Sequence, residues 1–272
     1  MGLFSRNIEL LDIQRGARHW YYAIGNRNAV IGGATYLPST IGRGGISESM
    51  DLTRNTLDLT ASQDLDFLDQ FRGTAPMQPI DVALRRQKVS DGSIATLWKG
   101  TLGGVTWAKS SAKIHCLPPM ASMQALALKR CWQVGCPHVL YGAEQGGCNA
   151  SRAAVQALAT ITAVSGNVVH AAAFAAQADG WWAGGYFSWQ TGETTEVRFI
   201  TDHAGDAVTL MTPALMDAGV VVIALPGCDH TMGTCASKFT SSNPADTNGN
   251  SANYGGQLGI PQKNPFGADS IY

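Results

Sequence analysis

Alternation of apolar and polar positions dominates the first half of the chain. His19–Ile24 reads as an aromatic strand, followed by a turn at Gly25-Asn26-Arg27-Asn28 and the apolar Ala29-Val30-Ile31. Leu57-Asp58-Leu59-Thr60 and Ile80-Asp81-Val82-Ala83-Leu84 alternate with period two, so each buries one face of a sheet. Between them Leu65, Leu68 and Phe71 recur every third position. With Ser62 or Asp64 to cap the start and Gly73 to stop the end, this predicts a short helix over Ser62–Phe71. Ala95–Lys99, Val105–Ala108 and Lys113–Cys116 read as a meander that turns at Gly103-Gly104. A small β-barrel-like domain or strongly bent sheet is predicted for residues 1–119, with the boundary at Leu117-Pro118-Pro119.

Residues 120–272 carry a different pattern. Ser122–Leu128 predicts a helical turn or two. An apolar, β-like insertion over about residues 152–225 then separates two glycine-marked cysteine loops. Within it, Ala159–Val164 and Val168–Phe174 flank Ser165-Gly166-Asn167 as a hairpin. Trp181–Trp189, Glu196–Thr201, Ala207–Leu210 and Val220–Leu225 continue as short strands, which predicts a second small barrel. After Phe239 the chain is polar and loop-like through Asn253, and holds Ile260-Pro261 beyond. The fold class read from the pattern is therefore mostly β, with no internal repeat and no heptads.

Composition narrows the setting. Charged residues make up 14 % of the chain, well under the roughly 25 % of an average soluble domain. A surface so poor in charge suits a subunit covered by neighbours. The net charge of −1 gives no footprint for nucleic acid or an anionic membrane, and Arg85-Arg86 with Lys88 is the nearest approach to a basic cluster. Met1–Arg6 runs into Glu9 and Asp12 without the apolar stretch of a secretory leader. Ala153–Ala178 is interrupted by Ser165-Gly166-Asn167 and carries Gln156, His170 and Gln177, so no stable membrane insertion is expected. Synthesis in a reducing cytoplasm makes disulfides a poor account of six cysteines.

Familiar catalytic signatures are missing: no phosphate-binding glycine loop, H-E-x-x-H, G-x-S-x-G, EF-hand or C-x-x-C. Gly42-Arg43-Gly44-Gly45 lacks a strand–helix context and reads as a turn. What stands out is Cys136-x11-Cys148 and Cys228-x6-Cys235, with Cys131 five positions ahead of the first pair. Four thiolates from two loops suit tetrahedral zinc or a [4Fe–4S] cluster, the wide intervals leaning towards the cluster. The competing readings are buried free thiols acting as small apolar residues and a disulfide framework. Cys116, in a strand beside Leu117, reads as core. His138 and His230 each follow a cysteine by two positions; they read as loop histidines near the centre, or as zinc ligands in place of a thiolate. Trp132, Trp181, Trp182 and Trp189 read as core or interface aromatics. Nothing pairs Glu144 with Asp229 as acid and base, and Asp229 suits a turn cap.

These residues resemble the siphophage tail-tip and baseplate hub proteins, the family of phage lambda minor tail protein L and the gene transfer agent hubs. The likeness rests on Cys228-x6-Cys235, Lys238-Phe239 and Asn253-Tyr254-Gly255-Gly256, and on Cys136 through Tyr141 to Cys148. It covers most of the chain, but the longer stretch Thr240–Ala252 departs from the family, and Cys131 is an extra candidate beside Cys136. The resemblance implies a structural, non-enzymatic virion protein of the tail tip. It would be a homotrimer joining the distal tail protein to the central tip protein, with a [4Fe–4S] cluster on Cys136, Cys148, Cys228 and Cys235. On that reading the centre staples both ends of the insertion, and Gly147, Gly227 and Gly233 let the loops wrap closely. Two other classes stay open. One is a tail-associated zinc metallohydrolase of the cell wall using His138, Asp229 and His230; the other is an electron carrier.

Overall fold

The computed structural model describes residues 7–46, 50–51, 54–124 and 131–260. Met1–Arg6, most of the predicted turn at Ser122–Leu128, and Pro261 lie outside the described residues. Two compact units emerge, one of Met1–Leu126 with Gln190–Glu196 and one of Ala127–Trp189 with Val197–Tyr272.

The first unit is built on nine strands: β1 (Asn7–Arg15), β2 (Arg18–Ile24), β3 (Ala29–Ile31), β4 (Ala34–Ser39), β5 (Gly42–Arg43), β6 (Leu57–Ser62), β7 (Asp81–Lys88), β8 (Ile94–Trp107) and β9 (Ser111–Leu117). Their order is β3-β4-β2-β1-β7-β8-β9-β6-β5. Register explains the core. Leu11 and Ile13 face Tyr22 and Trp20 on one side and Leu84 and Val82 on the other. With Leu57, Leu59, Ile114 and Cys116 these side chains form one buried cluster. Leu10 and Ala23 point the other way and are covered by Ala29 and Tyr36 from the β3–β4 ribbon.

Five strand intervals separate β1 from β5, about 24 Å if the sheet were flat. Yet Arg43 on β5 reaches Glu9 on β1, its Nε and Nη2 donating to the two carboxylate oxygens at 2.6 and 2.8 Å. The sheet is therefore curled almost into a barrel, and a bidentate ion pair bridges the gap. This corrects the reading of Gly42–Arg43 as a turn: the pair forms a short strand on β6. Arg85 and Arg86 sit 3.5 Å from Asp12 and Glu9, and Lys88 is 3.1 Å from Asp91, so the basic stretch is neutralised locally.

Two more expectations change. Gly103-Gly104 is not a turn but lies inside the single long strand β8, where Leu102 pairs with Cys116 and Gly104 with His115. Gly103 is the extra residue of a bulge, which bends the strand. A Cβ on Gly103 would come within 2.8 Å of Leu117, and one on Gly100 within 2.1 Å of the Leu117 carbonyl oxygen. The predicted helix is a 3₁₀ turn, Asp66–Phe71, with no side-chain cap. Its three-residue spacing is the period of that tighter helix.

The second unit carries most of a seven-stranded sheet of β10 (Ala157–Thr160), β11 (Ala163–Ser165), β12 (Val168–His170), β13 (Tyr186–Thr191), β14 (Thr194–Ala204), β15 (Ala207–Leu210) and β16 (Val221–Leu225), the Gln190–Glu196 ends of β13 and β14 being counted with the first unit. The order is β10-β16-β13-β14-β15-β12-β11. Six intervals would hold the edges about 29 Å apart in a flat sheet. The edge strands β10 and β11 are joined by Ile161 and Thr162 alone, a link that reaches about 11 Å at most. The sheet must roll up, over Phe174, Trp182, Phe187, Val208 and Val222. Ala159 pairs with Val222, so the predicted hairpin keeps only its β11–β12 half. The second strand expected from Trp181 starts at Tyr186, after a turn through Gly184 at φ 74°. Two short α-helices, α1 (Arg152–Val155) and α2 (Met232–Lys238), flank this sheet in the chain. Among the described residues, no helix is long and apolar enough to cross a membrane.

The Arg43 hydrogen bonds hold the Glu9 carboxyl below its ordinary value, against the opposing effect of burial. A depressed carboxyl contributes stability above its unfolded pKa, about 4.3, and loses it as pH falls through the folded value. Glu9→Gln should therefore cost about 1 kcal/mol at pH 7. Urea melts should show the gap to the native protein closing as pH is lowered below about 4.

Candidate functional site

Three segments of the second unit meet around one small pocket bordered by Cys136, His138, Cys148, Cys228, His230, Cys235 and Asn250. Each sulfur arrives by a different local device. Cys228 follows the end of β16, where the chain crosses the turn before β13: a Cβ on Gly227 would lie 1.8 Å from the Ala183 carbonyl oxygen, and one on Gly185 2.1 Å from that of Leu225. Only bare backbone fits there. Cys235 sits on α2, capped by Thr231, whose side chain accepts from Thr234 N–H. Asp229 builds that start further, accepting from the Thr231 N–H and hydroxyl and from the Thr234 hydroxyl at 2.8–2.9 Å. Both its oxygens are thereby engaged, the turn-capping role expected of it.

Cys136 and Cys148 come from the first loop. Cys136 N–H donates to the His230 carbonyl at 2.9 Å, and His230 Nδ1 donates back to the Cys136 carbonyl at 2.8 Å. His230 adopts φ 61° to do this, as do Tyr141 at 60° and Asn149 at 49°. Three side-chain-bearing residues in the left-handed region within one loop cluster mark backbone held by its surroundings. The Tyr141 hydroxyl donates to the Pro226 carbonyl at 2.7 Å. Tyr141, Cys148, Ala150, Leu225 and Phe239 form the small apolar core beneath the site. Gly147 is also forced, because a Cβ would meet Glu144 at 2.8 Å, whereas nothing lies within 4 Å of one on Gly233. Gly227 and Gly147 thus sit where a side chain would collide with neighbouring backbone, whereas Gly233 occupies an ordinary helical position.

The polar tail, read from sequence as a loop, completes the site. Gly249, at φ 59°, passes so close to α2 that a Cβ would lie 2.0 Å from the Ala236 carbonyl oxygen. Asn250 follows, fully buried. Its Nδ2 donates to the Cys148 carbonyl at 2.8 Å and lies 3.8 Å from both Cys148 Sγ and Cys235 Sγ. Its Oδ1 accepts from Asn253 Nδ2 at 2.9 Å. Gly255 N–H points at Cys136 Sγ at 3.4 Å, and His230 N–H at Cys228 Sγ at 3.3 Å. Three donors thus serve the four sulfurs: a main-chain N–H each for Cys136 and Cys228, and the one Asn250 carboxamide nitrogen shared by Cys148 and Cys235. Gly255 lies in the Asn253–Gly256 motif singled out in the sequence, whereas Asn250 escaped that reading; the Asn-Gly-Asn run at 248–250 was its local signal.

Other candidates fall elsewhere. Cys131 and Trp132 are exposed and border no part of the pocket. Cys116 is buried in the first unit's core, where burial pushes its thiol up to about 12. His138 borders the pocket but donates from Nδ1 to the Asn253 carbonyl at 3.0 Å, its ring lying flush against Gly255. Trp182 and Trp189 lie in the second unit's core. Trp181 lies under Lys238, whose ammonium is 4.6 Å from the ring and donates to the Trp181 carbonyl at 2.6 Å.

Electrostatics favour the neutral thiol at two of the four cysteines. Burial, then the neighbouring Cys148 and Cys228, push the Cys235 thiol up to about 11, with Asn250 pulling the other way. Burial likewise raises Cys228, opposed by the His230 N–H. Thiols so placed ionise only if a cationic group is bound among them. As placed, no three or more His, Cys, Asp or Glu side chains among the described residues could hold one metal ion.

The fold is shared with a chain of a solved virion. Over 100 % of this chain and 97 % of the other, it superposes with a TM-score of 0.76 and 17 % identity on a chain from the virion of a native gene transfer agent particle. At that identity the likeness is one of fold. Residues 180–264 also match the sequence model of a phage family described as phage conserved hypothetical protein BR0599. No curated protein matches the sequence significantly.

The glycine contrast is directly testable. Gly227→Ala should disrupt the crossing at Ala183 and cost more than about 2 kcal/mol, seen as a lowered melting temperature. Gly233→Ala, in open space on α2, should stabilise by about 0.5–1 kcal/mol.

Proposed function

We propose that this chain is a structural protein of a phage-type tail tip, stapled by a [4Fe–4S] cluster on Cys136, Cys148, Cys228 and Cys235. The observation that carries the reading is the convergence of four thiols, served by three nitrogen donors, in a chain whose whole length shares the fold of a virion subunit. N–H donors directed at sulfur suit thiolate ligands, because an anionic sulfur accepts far better than a thiol. Sulfurs that border one pocket without closing on a single point suit a group several ångströms across better than one zinc ion. When bound, the cluster supplies the positive iron charge that lets the four thiols ionise.

Its role is mechanical. Eighty positions separate Cys148 from Cys228, and tying them restrains both ends of the inserted sheet. Ligand binding then becomes part of the folding free energy. The low proportion of charged residues in the chain supports a subunit of an assembly rather than a catalyst. The partners of such a subunit are two further copies in a trimer, the distal tail protein and the central tip protein, with no nucleic acid. The cell-wall hydrolase reading is weakened by Asp229, whose two oxygens are already spent on α2.

Anaerobic purification should give a brown protein with about four irons and four sulfides per chain. Serine at any of Cys136, Cys148, Cys228 or Cys235 should lower that content and the melting temperature, while Cys131→Ser should not. One zinc without sulfide would replace the cluster by a zinc staple and reopen hydrolysis. Neither metal in a folded protein would sink the proposal.

A further inference from the structure

The donors to the four sulfurs differ in kind. Cys136 and Cys228 are served by main-chain N–H groups, which no substitution removes without moving backbone. Cys148 and Cys235, the two most buried of the four, share one side chain, Asn250. We infer that Asn250 is the positioning residue that sets how tightly the centre is held and at what potential it is reduced. The inference rests on the cluster reading above.

The geometry fixes the direction of the carboxamide. Asn253 Nδ2 donates both to Ser241 Oγ, at 3.0 Å, and to Asn250 Oδ1. Turning the Asn250 amide over would set its nitrogen against that donor and its oxygen against the Cys148 carbonyl. Both contacts would be repulsive, so the N–H side must face the sulfurs. Main-chain bonds lock the residue in place as well: Asn250 N–H donates to the Cys235 carbonyl at 3.1 Å. The Cys235 thiol donates to the Asn250 carbonyl at 3.3 Å. As a ligand the sulfur would be anionic and without that bond, and its neighbouring donor would be Nδ2. No charged group enters this arrangement, so a neutral donor stabilises sulfur charge without adding a competing ion to a buried site.

Donors to the sulfurs favour the more negative, reduced state, and their removal shifts the potential downwards. Outer partners of this kind are worth about 10- to 100-fold in metal retention. The test uses the full chain, purified anaerobically, with iron release to a chelator and a spectroelectrochemical titration as readouts. Asn250→Leu, which keeps the approximate volume, should release iron about tenfold faster or more and be reduced at a more negative potential. Asn250→Asp should shift the potential further in the same direction. Should Asn250→Leu fail to fold, Asn253→Ala leaves the carboxamide present but unanchored, and a smaller shift of the same sign is expected. Unchanged release and potential in folded variants that carry the cluster would overturn the inference and leave the cluster reading standing. A native protein without any cluster would overturn both.

Discussion

Four thiols gathered in a poorly solvated pocket are the constraint around which the second unit is arranged. A buried thiol is tolerable as a small apolar group, but Cys228 and Cys235 are pushed up by burial and by neighbouring thiols, and three nitrogen donors approach the four sulfurs. Donors aimed at neutral thiols would gain little. The same donors aimed at anionic sulfur gain a charge-assisted bond each. The arrangement makes physical sense as a site prepared for negative sulfur, and the surrounding backbone is held accordingly: three left-handed non-glycine residues, glycines where chains cross, and a helix start built around Asp229.

That local order extends outwards through packing. Leu225 and Tyr186 belong to the rolled sheet and touch the same small core as Cys148, Cys228 and Phe239. The site and the sheet therefore share side chains, so fixing one restrains the other. Holding both ends of a long insertion lowers the entropy of the open chain only logarithmically with length. On the proposed reading, the greater effect of a bound cluster would be to pin the points where the sheet enters and leaves the cysteine loops. The first unit reaches a similar end by ordinary means, closing its curled sheet with apolar packing inside and the Arg43–Glu9 pair across the gap.

Much of the fold was legible because strand periodicity is a local property. The alternation at Leu57–Thr60 and Ile80–Leu84 depends only on neighbours, and both segments became strands with the predicted face inward. Gly103-Gly104 misled because two glycines serve a turn and a bulge equally well; the choice was made by the paired strand β9. The three-residue spacing at Leu65, Leu68 and Phe71 marks a short helix, which takes the form of the 3₁₀ turn Asp66–Phe71.

The sequence by itself determined the mostly β character, the positions of the cysteine pairs and the glycines that bracket them. Tertiary structure alone decided that both sheets curl, that Cys131 lies outside the pocket while Cys136 borders it, and that Asn250 sits between two sulfurs. The physical reason is range. Periodicity and turn chemistry act over a few residues, whereas the carboxamide of Asn250 meets Cys148 across 102 positions. No pattern in either segment encodes a contact that exists only once the tail has folded back over α2.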